Sequence, residues 1–422
     1  MADIIVDGTT VGANRFLLLD STGKIPAVDG SQVTTIAAGN IATGTIPIAR
    51  IDVGTTANKI VQLDGNAKLP ALDGSLITNV PGATNSASDP TTSTNPSGGV
   101  GTEWHNTTSG EVYICTDATA SANVWTNVGA GSGDIRLFHG SGSSYGYITG
   151  GGGRSSLVIE KFSFASDSNA VDSGQDATGV YPETGGQSSS THGYITAATN
   201  AGDIRKYQFN TSNNMTLVGY LTTGTTARTQ NTGTQSSTYG YMFGGSAGTV
   251  YPIEKFSFST DGNSSDVGDL SLQRKMPSGH CSFTHGYCAG GKSGGVDRNT
   301  IDKWSFATDA DATDVADLTR SIGNIGGGVQ SHTYGYSCGG SSPFTNIIEK
   351  FSFSADANAT DVGDLTVERG SKSDCTSETH GYCVQGWDKN VIDKWSLSSD
   401  GNATDVGDGG FGASEGHACH SF

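Results

Sequence analysis

Tyr334-Gly335-Tyr336-Ser337-Cys338-Gly339-Gly340, then six loop residues, then Ile347-Ile348-Glu349-Lys350-Phe351-Ser352-Phe353: this stretch decides the fold, because the chain repeats it. Gly-Tyr recurs at Tyr147, Tyr194, Tyr241, Tyr287, Tyr336 and Tyr382, 46 to 49 residues apart. A Lys followed by an aromatic recurs in step, at Lys161, Lys206, Lys255, Lys303, Lys350 and Lys394. Each copy reads as four short strands. The first ends in the diglycine and the second is rich in β-favouring residues. The turn Asp356-Ala357-Asn358-Ala359-Thr360-Asp361 and a third strand follow, and a fourth precedes the next His/Tyr-Gly-Tyr. A period near 47 with four strands per copy is the signature of an all-β ring of blades.

A second period lies inside the first. Two residues before each repeat tyrosine stand Tyr145, His192, Tyr239, His285, Tyr334 and His380, in strict alternation. The unit is therefore a pair of blades, tripled, and residues 131–422 are expected to form a six-bladed propeller with pseudo-threefold symmetry. The chain ends Gly416-His417-Ala418-Cys419-His420-Ser421-Phe422, which aligns with Gly279-His280-Cys281-Ser282-Phe283 just before a Gly-Tyr. This terminal strand is expected to complete blade one. Asp134 to Gly140 competes for the same slot. The diglycine, the aromatic strand and the segment that reads Leu-Thr-x-x-Arg at Arg369, with looser counterparts at Arg274 and Arg320, resemble kelch repeats. Ala197-Ala198 and Gln385-Gly386 depart from that pattern.

Composition narrows the function. The net charge is −18, with no basic patch longer than two residues, so nucleic acid is not an expected partner. No apolar run approaches 18 residues, and the N-terminus lacks the basic, apolar start of a secretory signal. Membrane insertion is not expected, and synthesis in a cytoplasm is. Seven cysteines without a CxxC give neither a zinc ribbon nor a disulfide framework. Cys281, Cys288, Cys338, Cys375, Cys383 and Cys419 flank the Gly-Tyr turns and read as small buried residues.

The N-terminal part is organised differently. Gly23-Lys24-Ile25-Pro26-Ala27-Val28-Asp29-Gly30-Ser31 returns 44 residues later as Ala67-Lys68-Leu69-Pro70-Ala71-Leu72-Asp73-Gly74-Ser75. One copy has too few apolar residues for a core of its own. These repeats resemble the trimeric shafts of bacteriophage tail fibres, which implies a homotrimeric β stalk over residues 1–80. Residues 81–100 have linker composition. Residues 101–130, with Trp104, Asn106-Thr107-Thr108-Ser109-Gly110, Glu111 to Cys115 and Trp125, read as a small three-stranded module anchored by two tryptophans. Similar modules occur in phage fibres.

No nucleophile elbow, Walker loop or HExxH is present. His192, His285 and His380 sit beside turn glycines and read as structural. The Asp-Asn turns at Asp261, Asp309, Asp356 and Asp400 resemble calcium loops without meeting their spacing, so calcium stays an alternative to a role in the turn. The sixfold lysine reads as a structural ion pair with a neighbouring carboxylate. The His/Tyr-Gly-Tyr and Asp-Asn turns are nearly constant and share one face; the connections after the diglycine and after Leu-Thr vary and share the other. Binding is expected on the variable face. The candidates are Arg154, Tyr251, Lys292, Asp297, Arg298, Asn299, Phe344, Trp387, Asp388 and Lys389, an aromatic and polar set suited to a sugar ring.

The expected function is that of a virion tail fibre whose propeller adsorbs to a bacterial surface glycan. Its partners would be its own copies, tail or baseplate proteins at the N-terminus, and host polysaccharide. A polysaccharide depolymerase and a structural head or neck decoration are the alternatives.

Overall fold

The computed structural model describes Ser21 and residues 83–128, 138–149, 158–177, 184–196, 202–222, 228–246, 252–323, 326–410 and 418–422. The stalk repeats of residues 1–80 lie outside the described residues. The described residues form strands and the loops between them, with no helix among them, and Pro81–Phe422 forms one compact unit.

The first sheet contains β1 (Thr84–Ser86), β2 (Glu103–Asn106), β3 (Val112–Asp117) and β4 (Val124–Asn127), in that order. Strand β1 pairs parallel with β2, and Asn123 Nδ2 donates to Thr92 O at 2.9 Å. The stretch expected as a linker is thus part of the module, which has four strands rather than three. Trp125 is fully buried, and Trp104 meets it edge-on at 5.8 Å.

Six further sheets follow. The first has β5 (Tyr145–Thr149), β6 (Val158–Ser163) and β7 (Val171–Asp176). The second has β8 (Gly185–Ser188), β9 (His192–Thr196), β10 (Asp203–Gln208) and β11 (Thr216–Tyr220). The third has β12 (Asn231–Gln235), β13 (Tyr239–Gly244), β14 (Pro252–Ser257) and β15 (Ser265–Asp269). The fourth has β16 (Ser278–Cys281), β17 (His285–Ala289), β19 (Val296–Ser305) and β20 (Thr313–Ile322); the short β18 (Lys292–Ser293) folds onto the start of β19. The fifth has β21 (Val329–Gln330), β22 (Tyr334–Cys338), β23 (Ile347–Ser352) and β24 (Thr360–Asp364). The sixth has β25 (Ser373–Thr376), β26 (His380–Gly386), β27 (Lys389–Ser396) and β28 (Thr404–Asp408). The last strand, β29 (Ala418–Ser421), returns to pair with β5, so the first sheet reads β29-β5-β6-β7. The C-terminal strand therefore takes the contested slot. Phe138–Gly140 sits elsewhere: Gln235 Nε2 donates to His139 O at 3.2 Å and Gln330 Nε2 to Gly140 O at 2.6 Å.

The repeated residues explain why each sheet forms. The Gly of every Gly-Tyr lies directly across from the aromatic of the Lys-aromatic pair: Gly146 from Phe162, Gly193 from Tyr207, Gly240 from Phe256, Gly286 from Trp304, Gly335 from Phe351 and Gly381 from Trp395. A Cβ at any of these glycines would run into the ring. The two halves of the repeat are one packing unit, which is why they stay in step. One step later, all six sheets shift register between an Ile and the next residue, at Ile159, Ile204, Ile253, Ile301, Ile348 and Ile392. In five sheets that next residue is a buried acid: Glu160, Glu254, Asp302, Glu349 and Asp393. Four of these meet an arginine that precedes their sheet in the chain, Arg228–Glu254, Arg274–Asp302 and Arg369–Asp393 from connections and Arg320–Glu349 from β20. The second sheet carries Arg205 there, and Asp203 pairs with it at 2.6 Å.

The core lies between sheets. Six apolar clusters each draw from two successive sheets, and one of them joins the sixth sheet to the first. The outer edges are tied in the same sequence. The backbone N–H of Asp176, Tyr220, Asp269, Asp317, Asp364 and Asp408 each donates to a turn side-chain oxygen of the next sheet, from Asn214, Asn263, Asp311, Asn358, Asn402 and Asn169 respectively. Each sheet thus packs on the next, and the sixth packs on the first.

Candidate functional site

Four of the expected binding residues meet. Phe344 lies in the connection from β22 to β23. Trp387 and Asp388 form the tip of the β26–β27 hairpin, where Gly386 pairs with Lys389. Together with Val367 and Glu368 from the β24–β25 connection they line a cleft of about 440 Å³. Phe344 and Trp387 are 44% and 48% exposed, and their rings stand 6.1 Å apart at 73°. Two large apolar rings turned outward at loop tips cost solvation and add nothing to a core. At the hairpin tip Asp388 adopts positive φ without being glycine.

The loops are held from beneath. Arg369, fully buried, donates to Asp393 at 2.8 Å and to Cys383 O at 3.0 Å. Asp393 accepts in turn from Thr366 N and Thr366 Oγ1, at 3.0 and 2.6 Å. Arg369 N donates to Thr345 O, and Trp387 N to Gly370 O. The Leu365-Thr366-Val367-Glu368-Arg369 run is therefore fastened at both ends, and its two free positions, Val367 and Glu368, face the cleft. Sequence reasoning missed both, although the variable connection after Leu-Thr was the signal.

The other candidates lie apart. Asp297, Arg298 and Asn299 stand on β19 of the fourth sheet and do not line this cleft. Lys292 and Asp297 pair across the β18–β19 hairpin at 3.5 Å. Arg154 and Tyr251 lie outside the described residues.

The repeat residues are engaged elsewhere. The six Gly-Tyr tyrosines are buried, and burial pushes the phenols of Tyr194, Tyr287, Tyr336 and Tyr382 up to about 12. Five of the six lysines bind a turn aspartate of the next sheet: Lys206–Asp261, Lys255–Asp309, Lys303–Asp356, Lys350–Asp400 and Lys394–Asp167, at 2.5 to 2.9 Å. Lys161 has no such partner among the described residues and lies over the Tyr145 ring. The turns that resemble calcium loops thus spend their side chains on lysines and on backbone N–H groups. His192, His285 and His380 are each bonded through Nδ1 to the preceding threonine, on three different sheets.

Two cysteines differ from expectation. Cys375 of β25 and Cys419 of β29 form a disulfide across the junction of the sixth and first sheets. Their register brings the two first strands face to face, which the spacing of cysteines in sequence does not reveal. Cys115, Cys281, Cys288, Cys338 and Cys383 are free and buried. Among the described residues, Cys338, Asp374 and Cys383 are grouped closely enough to hold a metal. Lys372 already lies on Asp374 and Arg369 on the Cys383 sulfur, so two cations fill the cluster's field. A further cavity, about 60 Å³, is walled mostly by Gly, Ser, Thr and Gln, with Lys372 and Asp374 among its lining, where the first strands of the sheets meet. It has room for a few waters and not for a sugar.

No family model and no curated protein matches the chain. No helix among the described residues is long and apolar enough to cross a membrane.

Proposed function

We propose that the cycle of six sheets is a six-bladed, kelch-like β-propeller of pseudo-threefold symmetry, and that it is the receptor-binding head of a bacteriophage tail fibre. Its target is a bacterial surface glycan. The resemblance of the residue 1–80 repeats to trimeric fibre shafts supports the fibre reading and implies a homotrimer attached to tail or baseplate proteins through its N-terminus. Closure by β29, the six intersheet clusters and the cyclic edge bonds support the propeller reading.

The observation that carries the binding reading is the Phe344–Trp387 cleft. Paired exposed rings with charged groups beside them suit the apolar face and hydroxyl rim of a sugar. Three heads per fibre would multiply weak single-site contacts. A depolymerase is the second reading, because Glu368 and Asp388 both line the cleft and glycoside cleavage uses two carboxylates. Both are exposed to water, whereas a general acid needs a sheltered carboxyl. Binding is therefore preferred. The test is to apply the full chain to an array of bacterial surface polysaccharides while assaying for new reducing ends. Saturable binding without cleavage is expected. Cleavage lost in Glu368→Gln would replace the binder by the enzyme.

A further inference from the structure

We infer that the cleft between Phe344 and Trp387 takes a positively charged nitrogen, so that the recognised saccharide carries an ammonium group and not only hydroxyls. The inference rests on the cleft being the binding site and concerns what it selects.

The scaffold supplies the comparison. On the third and fifth sheets an exposed tyrosine is covered by a lysine that also binds a carboxylate. Lys255 Nζ lies 5.0 Å from the Tyr239 ring centre and 2.6 Å from Asp309. Lys350 Nζ lies 4.8 Å from the Tyr334 ring centre and 2.6 Å from Asp400. Aromatic face, ammonium and carboxylate form one unit in both places. The cleft has the aromatic faces and the carboxylates. Phe344 and Trp387, standing nearly perpendicular, form a corner with a π face on each wall. Glu368 and Asp388 line the same cleft. Among the described residues no lysine or arginine lies over either ring, and neither carboxylate is in an ion pair. A ligand cation would complete the same unit.

Physical chemistry favours such an occupant. A cation within about 6 Å of an aromatic centroid is attracted by the ring quadrupole, most strongly over Trp. Two carboxylates facing the same corner add Coulomb attraction, softened by water and salt. Lys389 is the one cleft residue that opposes a cation. Its flexible stem and exposed position let it swing to solvent or meet an anionic group of the same ligand.

The test uses the full chain and three probes: choline, glucosamine and N-acetylglucosamine, with binding followed by saturation-transfer NMR. Choline and glucosamine should compete for one site. N-acetylglucosamine, which lacks the charge, should bind about tenfold more weakly or worse. Trp387→Ala should abolish binding. The double variant Glu368→Gln, Asp388→Asn should weaken choline by about tenfold and leave any neutral sugar unchanged. Lys389→Ala should strengthen choline by about two- to fivefold. These substitutions are at exposed loop tips, and unchanged circular dichroism checks the fold. If N-acetylglucosamine binds as well as glucosamine, and the double variant is silent, the ammonium inference is overturned while the cleft stays a sugar site. If no probe shows Trp387-dependent binding and the array is also blank, both are overturned.

Discussion

At the scale of the residue, the repeated Gly-Tyr is a steric requirement. Gly335 is backed by Phe351, which is 3% exposed and has no room to withdraw. Gly335→Ala should therefore destabilise the chain by about 1–3 kcal/mol. Adding Phe351→Leu should recover part of that loss, because the two residues share one space. Denaturant midpoints of the single and double variants check this; simple additivity would contradict it.

Two buried histidines set the acid response. His280 Nδ1 donates to Val329 O at 3.1 Å, and Nε2 accepts from the Ser278 or Ser337 hydroxyl. His420 Nε2 donates to Tyr194 O at 2.7 Å, and Nδ1 accepts from Tyr207 Oη. Both bonding sets suit a neutral ring. Burial lowers His280 to about 3 and His420 to about 4. The unfolded chain takes up these protons near pH 6.5, so below that pH it binds more protons than the folded chain and stability falls. The loss runs from pH 6.5 down through about 4 for His420 and about 3 for His280. Each histidine contributes a slope of about 1.4 kcal/mol per pH unit. His280→Gln should remove one such slope between pH 6 and 4. Glutamine is tolerated by this scaffold: Gln187 holds the matching register position across from Tyr194. An unchanged acid profile would contradict the assignment.

At the scale of the element, the sheets are joined by a relay whose one gap is visible. Lys161 of the first sheet should find an aspartate in the β10–β11 turn, but Ser212 stands where Asp167 and Asp261 stand in other turns, two residues before the capping Asn. Ser212→Asp should supply the partner and raise stability by less than about 1 kcal/mol, since the other pairs are half open to water. The gain should vanish at high salt. The closing strand β29 is fixed on both sides: by the Cys375–Cys419 disulfide toward the sixth sheet and by His420 toward the second. Reduction of that disulfide should lower stability by about 2–4 kcal/mol, read as a shifted denaturant midpoint.

At the scale of the whole molecule, the sequence carried the cycle and much of the cleft. The 47-residue period, the strand count and the terminal strand were legible because each recurs. Phe344, Trp387, Asp388 and Lys389 stood out as variable, outward residues. Other features were not legible, for particular reasons. Glu368 hides among surface acids until the Arg369–Asp393 pair fixes its loop. Cys375 and Cys419 lie 44 residues apart and meet only when β29 closes the cycle. Residues 83–100 look like a linker because β1 is three residues long and polar. Asp297, Arg298 and Asn299 were grouped with the cleft by their variability, but three-dimensional proximity, which sequence does not encode directly, separates them.

If the variable loops bind and the constant turns do not, exposed aromatics of the two kinds must differ in their effect on binding. Tyr334 and Trp387 allow a matched comparison, being exposed aromatics of similar openness on neighbouring sheets. The decisive measurement is adsorption of the full chain to its array-identified polysaccharide, comparing Trp387→Ala with Tyr334→Ala by surface plasmon resonance. Loss of binding with Trp387→Ala and retention with Tyr334→Ala are expected. Retention with Trp387→Ala, or equal loss in both, would contradict it.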